Sequence, residues 1–300
     1  MANLQVKIGE LELKNPLITA AGAVGDGLAL SDYYPPAQLG GMVLRSVTFE
    51  PQCGYPAPRV AEATGGMLTS IGLENRGAEY VASHELPRLQ GCGTAVIPSI
   101  AALTEEEYQL TAARFDKVAD LAALEINLAC ADEQGLDFGA DPARVGRIIS
   151  SIKAVTGLPL IAKLSPAAQD QLKVAEAAAT AGALAVSLTA PLPGMAIDIE
   201  KRQPILGRGW GRLSGPAVKP LALHMVHQLS KNLRLPVIGM GGIACGTDAI
   251  EFMMAGAYAF QVGAANVHDP LIAPRILSEL NEWLDAHGVR NVNEIVGVIA

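Results

Sequence analysis

Two glycine-rich turns late in the chain are the clearest places for chemistry. Gly239-Met-Gly-Gly-Ile243 and Val262-Gly-Ala-Ala265 each follow a short apolar run. Glycine lets backbone N–H groups approach an anion, and a helix starting there adds its positive end, so the pair reads as a phosphate cradle. Tight turns are the plain alternative. Lys163, in Ala162-Lys-Leu-Ser-Pro166, sits near the end of another apolar run. A charged amine there is costly unless an anion or a polar cofactor edge receives it, and a rim ion pair would also serve. Asn127 ends a further run, where its amide can donate and accept toward a ligand or shape a strand-end turn. Cys130 follows in Asn127-Leu-Ala-Cys-Ala-Asp132. As a thiolate it could accept a proton if its surroundings tune it; untuned, a cysteine is a small packing residue. Asp132 and the histidines His84, His224, His227, His268 and His287 carry weaker signals. His224 and His227, three apart, read as an outer-face helical pair, and no H-E-x-x-H spacing occurs. Cys53, Cys92, Cys130 and Cys245 form no C-x-x-C pair, so no metal site held by this chain alone is expected.

These residues need elements to position them. Short apolar runs occur at Leu17–Ala20, Gly41–Leu44, Thr94–Ile100, Leu121–Asn127, Leu160–Leu164, Ala185–Thr189, Pro236–Met240 and Ala259–Val262. Most are continuously apolar, as strands buried on both faces should be. Helical patterns fall between them. Thr104-Glu-Glu-Glu107 is a capping box opening a helix to about Phe115, and Asp141-Pro142 opens one to about Thr156. Ala167–Ala181, closed by Gly182, with Pro216–Asn232, Thr247–Ala255 and Ile276–Ala286, completes the set. Strand then helix, repeated eight times, predicts an α/β fold of the (β/α)8 TIM-barrel type over residues 1–300 as one domain. The runner-up, a doubly wound open sheet, lacks a G-x-G-x-x-G after the first strand. Leu4–Ile8 and Leu11–Leu13 read as an N-terminal β-hairpin plugging the barrel floor. Long insertions after strands 2 and 6, roughly Ser46–Gly77 and Ala190–Leu213, fall on the catalytic face and predict a lid and walls.

Composition narrows the function classes. Half the residues are hydrophobic and 17% are charged, so a large core forms and global disorder is excluded. The net charge is −8, without a Lys/Arg run interleaved with aromatics, which argues against nucleic acid. The stretch Ala177–Ile197 is uncharged but broken by Gly182, Pro191, Pro193 and Gly194, too weakly apolar for a membrane span. Scattered thiols and no signal-peptide pattern at Met1 suit the cytoplasm.

Several strings in one order resemble the family 1 dihydroorotate dehydrogenases, closest to their cysteine-base branch, along almost the whole chain. They include Lys14-Asn-Pro, Ala20-Ala-Gly22, Pro58-Arg-Val-Ala-Glu62, Gly65-Gly-Met-Leu68, Ile71-Gly-Leu73, Lys163-Leu-Ser-Pro166, Leu213-Ser-Gly-Pro-Ala-Val-Lys-Pro220, Gly239-Met-Gly-Gly242 and Ala255-Gly-Ala257. The resemblance implies FMN across the barrel mouth and an oxidoreductase acting on a CH–CH bond. It implies that Gly241, Gly242, Gly263 and Ala264 bind the phosphate through backbone. Ala21, Gly22, Ser214 and Gly215 would line the flavin, with Lys163 at its pyrimidine edge. Cys130 falls on the family's base, which takes a proton while hydride leaves the neighbouring carbon for flavin N5. A small-molecule substrate, a homodimer and an electron-transfer subunit carrying FAD and an iron–sulfur cluster are the implied partners.

The substrate half departs from the family. Arg45 stands at the usual lysine after strand 2, Ser99 at the asparagine after strand 3, and Thr69 at the asparagine of Gly-Met-Leu-Asn. Asn127-Leu-Ala-Cys-Ala-Asp132 has lost the Ser, Pro and final Asn of its motif, and Ala190-Pro191 replaces an Asn-Thr or Asn-Ser pair. Of the asparagines that grip the orotate ring, only Asn127 remains, so dihydroorotate is expected to be a poor substrate. Three readings stay open: an oxidoreductase of this family on a small cyclic compound, an FMN ene-reductase or dehydrogenase on an unrelated ligand, and a flavin-free phosphate-binding barrel or non-catalytic subunit. An absorption spectrum separates the first two from the third.

Overall fold

The structure, a computed structural model, describes residues 2–131 and 134–299. Its strands in chain order are β1 (Val6–Ile8), β2 (Leu11–Leu13), β3 (Leu17–Thr19), β4 (Gly41–Val47), β5 (Val60–Ala63), β6 (Gly66–Thr69), β7 (Ala95–Ile100) and β8 (Leu124–Asn127). They continue as β9 (Leu160–Lys163), β10 (Ala185–Leu188), β11 (Leu192–Gly194), β12 (Ile197–Asp198), β13 (Gln203–Pro204), β14 (Gly211–Ser214), β15 (Val237–Met240) and β16 (Ala257–Val262). Eight of these close a parallel barrel in the order β10-β15-β16-β3-β4-β7-β8-β9. Strands β3, β9, β10 and β15 are buried along their whole length, which is why their sequences are mostly apolar without alternation, with Thr19, Lys163 and Ser187 as buried exceptions.

Helices α1 (Ala78–Tyr80), α2 (Glu105–Phe115), α3 (Pro142–Lys153), α4 (Gln171–Thr180), α5 (Lys219–Asn232), α6 (Gly246–Met254), α7 (Ala264–His268) and α8 (Ile272–Ala286) surround the barrel. The Thr104 hydroxyl accepts from Glu107 N to start α2, and the Asp141 carboxylate accepts from Ala143 N to start α3. Helix α4 begins after the expected Ala167, because Asp170 caps it and the preceding turn is tied by Ser165 Oγ accepting from Ala167 N. The expectation of a helix after every strand is corrected at the first crossover. Gly25 and Gly27 take positive φ there, and Pro35-Pro36 interrupts the chain, so only the tight turns Leu28–Asp32 and Pro36–Gln38 form.

The hairpin β1–β2 buries Val6, Ile8, Leu11 and Leu13 in the core. The two insertions do not act separately. Strands β5 and β6 from the first and β11 and β14 from the second join in one antiparallel sheet, ordered β11-β14-β6-β5. Arg212 lies opposite Thr69 and Ser214 opposite Met67 in that sheet, so segments following two different barrel strands share one lid. Among the described residues, no helix is long and apolar enough to cross a membrane.

Candidate active site

The carboxyl ends of the barrel strands bring the expected residues into one ring. Parallel register sets Ser46 beside Ser99, Asn127 beside Lys163 and Ser187 beside Lys163. Hydroxyls and amide link up accordingly: Asn127 Nδ2 donates to Ser46 Oγ at 3.0 Å, and Ser46 Oγ lies 2.9 Å from Ser99 Oγ. Asn127 Oδ1 accepts from Ala129 N, which turns the chain out of β8. Arg45 precedes Ser46 on β4, and its Nε is buried without a hydrogen-bond partner among the described residues.

The glycine turns meet on the other side of the ring. Gly241 and Gly242 have φ of 118° and 81°, a region costly for residues with a Cβ. A Cβ on Gly242 would lie 2.8 Å from Lys219 Cβ and 2.9 Å from Gly215 O, and one on Gly263 would lie 3.4 Å from Ala20 Cβ. Gly215 therefore packs on Gly242, and the loop of Ala20, Ala21 and Gly22 adjoins Gly263 and Ala264, the start of α7. At Gly22, with φ of 82°, a Cβ would meet no atom within 4 Å, so the backbone there fronts open space. The turn after β15 is held from behind. Asp248 Oδ2 accepts from Ala244 N at 2.8 Å and Cys245 N at 3.1 Å, while Lys219 Nζ donates to Asp248 Oδ1 at 2.6 Å and Glu251 Oε2 at 2.7 Å. Hydrogen bonds with these two carboxylates push the Lys219 amine well above its ordinary value.

Lys163 finds its anion inside the barrel. Its Nζ lies 3.4 Å from Glu125 Oε1, with side chains 6% and 0% exposed. Glu125 Oε2 accepts from Gln261 Nε2 at 2.7 Å and Ser187 Oγ at 3.2 Å. Sequence reasoning passed over Glu125 and Gln261. The available signal was a charged or amide side chain within runs otherwise apolar, Glu125 being two residues before Asn127 and so on its face.

Cys130 is enclosed rather than open, at 7% exposure. Its Sγ lies 3.1 Å from Tyr108 Oη, and Tyr108 donates to Asn127 O at 2.6 Å. Burial pushes the thiol up, against the opposing pull of the Tyr108 hydroxyl. Burial likewise raises Asp137, whose Oδ2 accepts from Ser165 Oγ. Arg212, a further residue that sequence reasoning passed over, reaches from β14 to donate to Ala129 O and Pro191 O, both at 3.3 Å. It thereby gathers Thr69, Pro191 and the Cys130 loop. Ala190 is buried and accepts at its carbonyl from Thr189 Oγ1. Asp132 lies outside the described residues.

A closed eight-stranded barrel with a glycine cradle and a buried lysine at the strand ends defines a (β/α)8 barrel of the ligand-binding kind, its site on the carboxyl face. Comparison with known proteins makes the assignment narrower. The family profile described as dihydroorotate dehydrogenase matches residues 3–284. Proteins named dihydroorotate dehydrogenase B (NAD(+)), catalytic subunit, are similar throughout. That of Geobacter sp. (strain M21) is 42% identical over 99% of this chain and 98% of its own. Those of Desulforamulus reducens and Listeria monocytogenes are 44% and 41% identical, each covering 98% of both chains. The chain belongs to the dihydroorotate dehydrogenase family, flavin-dependent oxidoreductases that act on a CH–CH bond.

Proposed function

We propose that the protein is an FMN oxidoreductase that moves a hydride between a small cyclic substrate and the flavin, with Cys130 as proton carrier and dihydroorotate as a poor substrate. The residues present fit FMN. Open space faces the Gly22 backbone, and a Cβ on Gly241 or Gly242 would lie 2.9 Å from Ala222 Cβ or 2.8 Å from Lys219 Cβ, so only glycine lets the backbone of this turn keep its shape. A buried ammonium and a buried, unpartnered guanidinium nitrogen stand at the ring. Gly241, Gly242, Gly263 and Ala264 would hold the phosphate, and Ala21, Gly22, Ser214 and Gly215 the ring. When bound, FMN supplies a two-electron acceptor for hydride. The work left to the chain is to orient the substrate, exclude water through the lid sheet, and take a proton at Cys130 Sγ.

The arrangement of amides carries the substrate reading. Buried ring amides need partners that donate and accept together, as asparagine does. Thr69 offers one hydroxyl, Ala190 and Pro191 offer no side-chain hydrogen bond, Ser99 is engaged by Ser46, and Asn127 is engaged by Ser46 and Ala129. Each buried polar group left unpaired costs about 1–3 kcal/mol, so two or three would weaken dihydroorotate by about 10–10⁶-fold. Arg45 can still grip a carboxylate, in bidentate geometry if the ligand allows. On this reading the substrate is a ring compound less polar than dihydroorotate. A separate subunit with FAD and an iron–sulfur cluster would receive the electrons, in keeping with relatives named as catalytic subunits. Anaerobic mixing with dihydroorotate while following flavin bleaching tests the substrate reading: slow bleaching at millimolar concentration is expected, and fast bleaching at micromolar concentration overturns it.

A further inference from the structure

A carboxylate inside a barrel core needs a reason. Glu125 is 0% exposed, and its neighbours along β8 are the buried apolar residues Leu124 and Ile126. Replacing a buried ion pair by apolar side chains of similar size is often neutral or stabilising, so packing does not explain the pair with Lys163. The geometry is also asymmetric. Oε2 is held by two neutral donors from two other strands, Ser187 on β10 and Gln261 on β16. Oε1 accepts no hydrogen bond among the described residues and faces the ammonium of Lys163 at 3.4 Å. The carboxylate is thus fixed by Ser187 and Gln261, and its free oxygen is aimed at the amine. An ammonium carries three N–H donors, so contact with one carboxylate oxygen leaves others for a ligand at the mouth.

We propose that Glu125 is a positioning residue for Lys163: it pins the buried amine and offsets its charge, and so sets the reduction potential of the cofactor that Lys163 would meet. The inference rests on the FMN reading and extends it. Two-electron reduction of a flavin places negative charge at its pyrimidine edge, where a cation is stabilising. A neighbouring carboxylate weakens that cation's field, and at protein-like dielectric one charge is worth a measurable fraction of the equilibrium. Glu125 lowers the potential that Lys163 alone would produce.

The test is the midpoint potential of the purified holoprotein, measured by equilibration with a reference dye. Glu125→Gln keeps the shape and an oxygen for Ser187 and Gln261 but removes the charge. Its flavin is expected to favour reduction about tenfold more, a rise of about 30 mV for two electrons. Glu125→Asp retracts the carboxylate from the amine and should shift the potential the same way by less, which serves if the glutamine variant does not fold. The double variant with Lys163→Met separates positioning from mere structure. Without the amine, Glu125 has no cation to place or offset. Glu125→Gln should therefore leave the potential of a Lys163→Met protein nearly unchanged. A yellow holoprotein whose potential does not rise in Glu125→Gln, or rises equally with and without Lys163, overturns the inference and leaves the FMN reading standing. A wild-type protein that takes up no FMN on reconstitution overturns both.

Discussion

The guanidinium of Arg212 donates to the carbonyl oxygen of Ala129 at 3.3 Å, fastening the lid sheet to the loop that carries Cys130. Its second nitrogen donates to Pro191 O, so three segments distant in sequence meet at one side chain. Charge-assisted bonds of this kind contribute about 1.5–3 kcal/mol in good geometry and less at this length. Arg212→Ala should speed amide hydrogen exchange over residues 128–131 and 134–139 several-fold while the barrel strands stay protected. Unchanged exchange in that loop would show that the arginine does not hold it.

Cys130→Ala should slow flavin reduction by the true substrate by about 10²–10⁴-fold, the usual worth of a positioned proton carrier. The flavin spectrum should stay nearly unchanged, because Cys130 Sγ makes its contacts with Tyr108 Oη and with the backbone carbonyls of Ala102 and Asn127. Reduction at the parent rate would make the cysteine a packing residue and place the base elsewhere. Stopped-flow absorbance distinguishes the two.

The pH dependence follows from the burial of that thiol. Burial raises Cys130, and the active form of a base is the thiolate, so the rate should climb with pH along a limb above the ordinary thiol value of about 8.5. Tyr108 favours the thiolate, since its hydroxyl proton can turn from Asn127 O to the sulfur. Tyr108→Phe removes that donor and should move the limb to higher pH. A limb that stays in place in the phenylalanine variant refutes the role given to the tyrosine.

Asp248→Ala should loosen the turn at Gly241 and Gly242. The substitution leaves the N–H groups of Ala244 and Cys245 and the Lys219 amine without this carboxylate. Ala244 and Cys245 are half-buried and Lys219 keeps Glu251, so the loss falls below the ~1–3 kcal/mol of a fully buried unpaired donor and shows as a modestly lower Tm. Titration of the apoprotein with FMN should show affinity reduced about tenfold or more, whereas equal affinity would mean that the turn holds its shape without this brace.

Much of the barrel was legible because its signals are local. Runs such as Leu160–Ala162 and Val237–Met240 carry no polar side chain, and Thr104 and Asp141 mark helix starts by their own side chains. The glycines of the cradle were legible for the same reason: positive φ is a property of a single residue, and Gly241 and Gly242 have it. The first crossover was not, since residues 20–40 are long enough for a helix, and its absence depends on how that connection, with its positive-φ glycines and two prolines, fits between β3 and β4.

By itself, the sequence determined the strand-and-helix rhythm, the glycine turns, the buried lysine and the family to which they belong. Only the tertiary structure decided what faces what. Glu125 meets Ser187 and Gln261 from 62 and 136 residues away, and Arg212 meets Ala129 from 83. Such pairings follow from strand order and register, which closing the barrel imposes across the whole chain. Periodicity within one segment records which face is buried, and it carries no information about which distant side chain will lie against it.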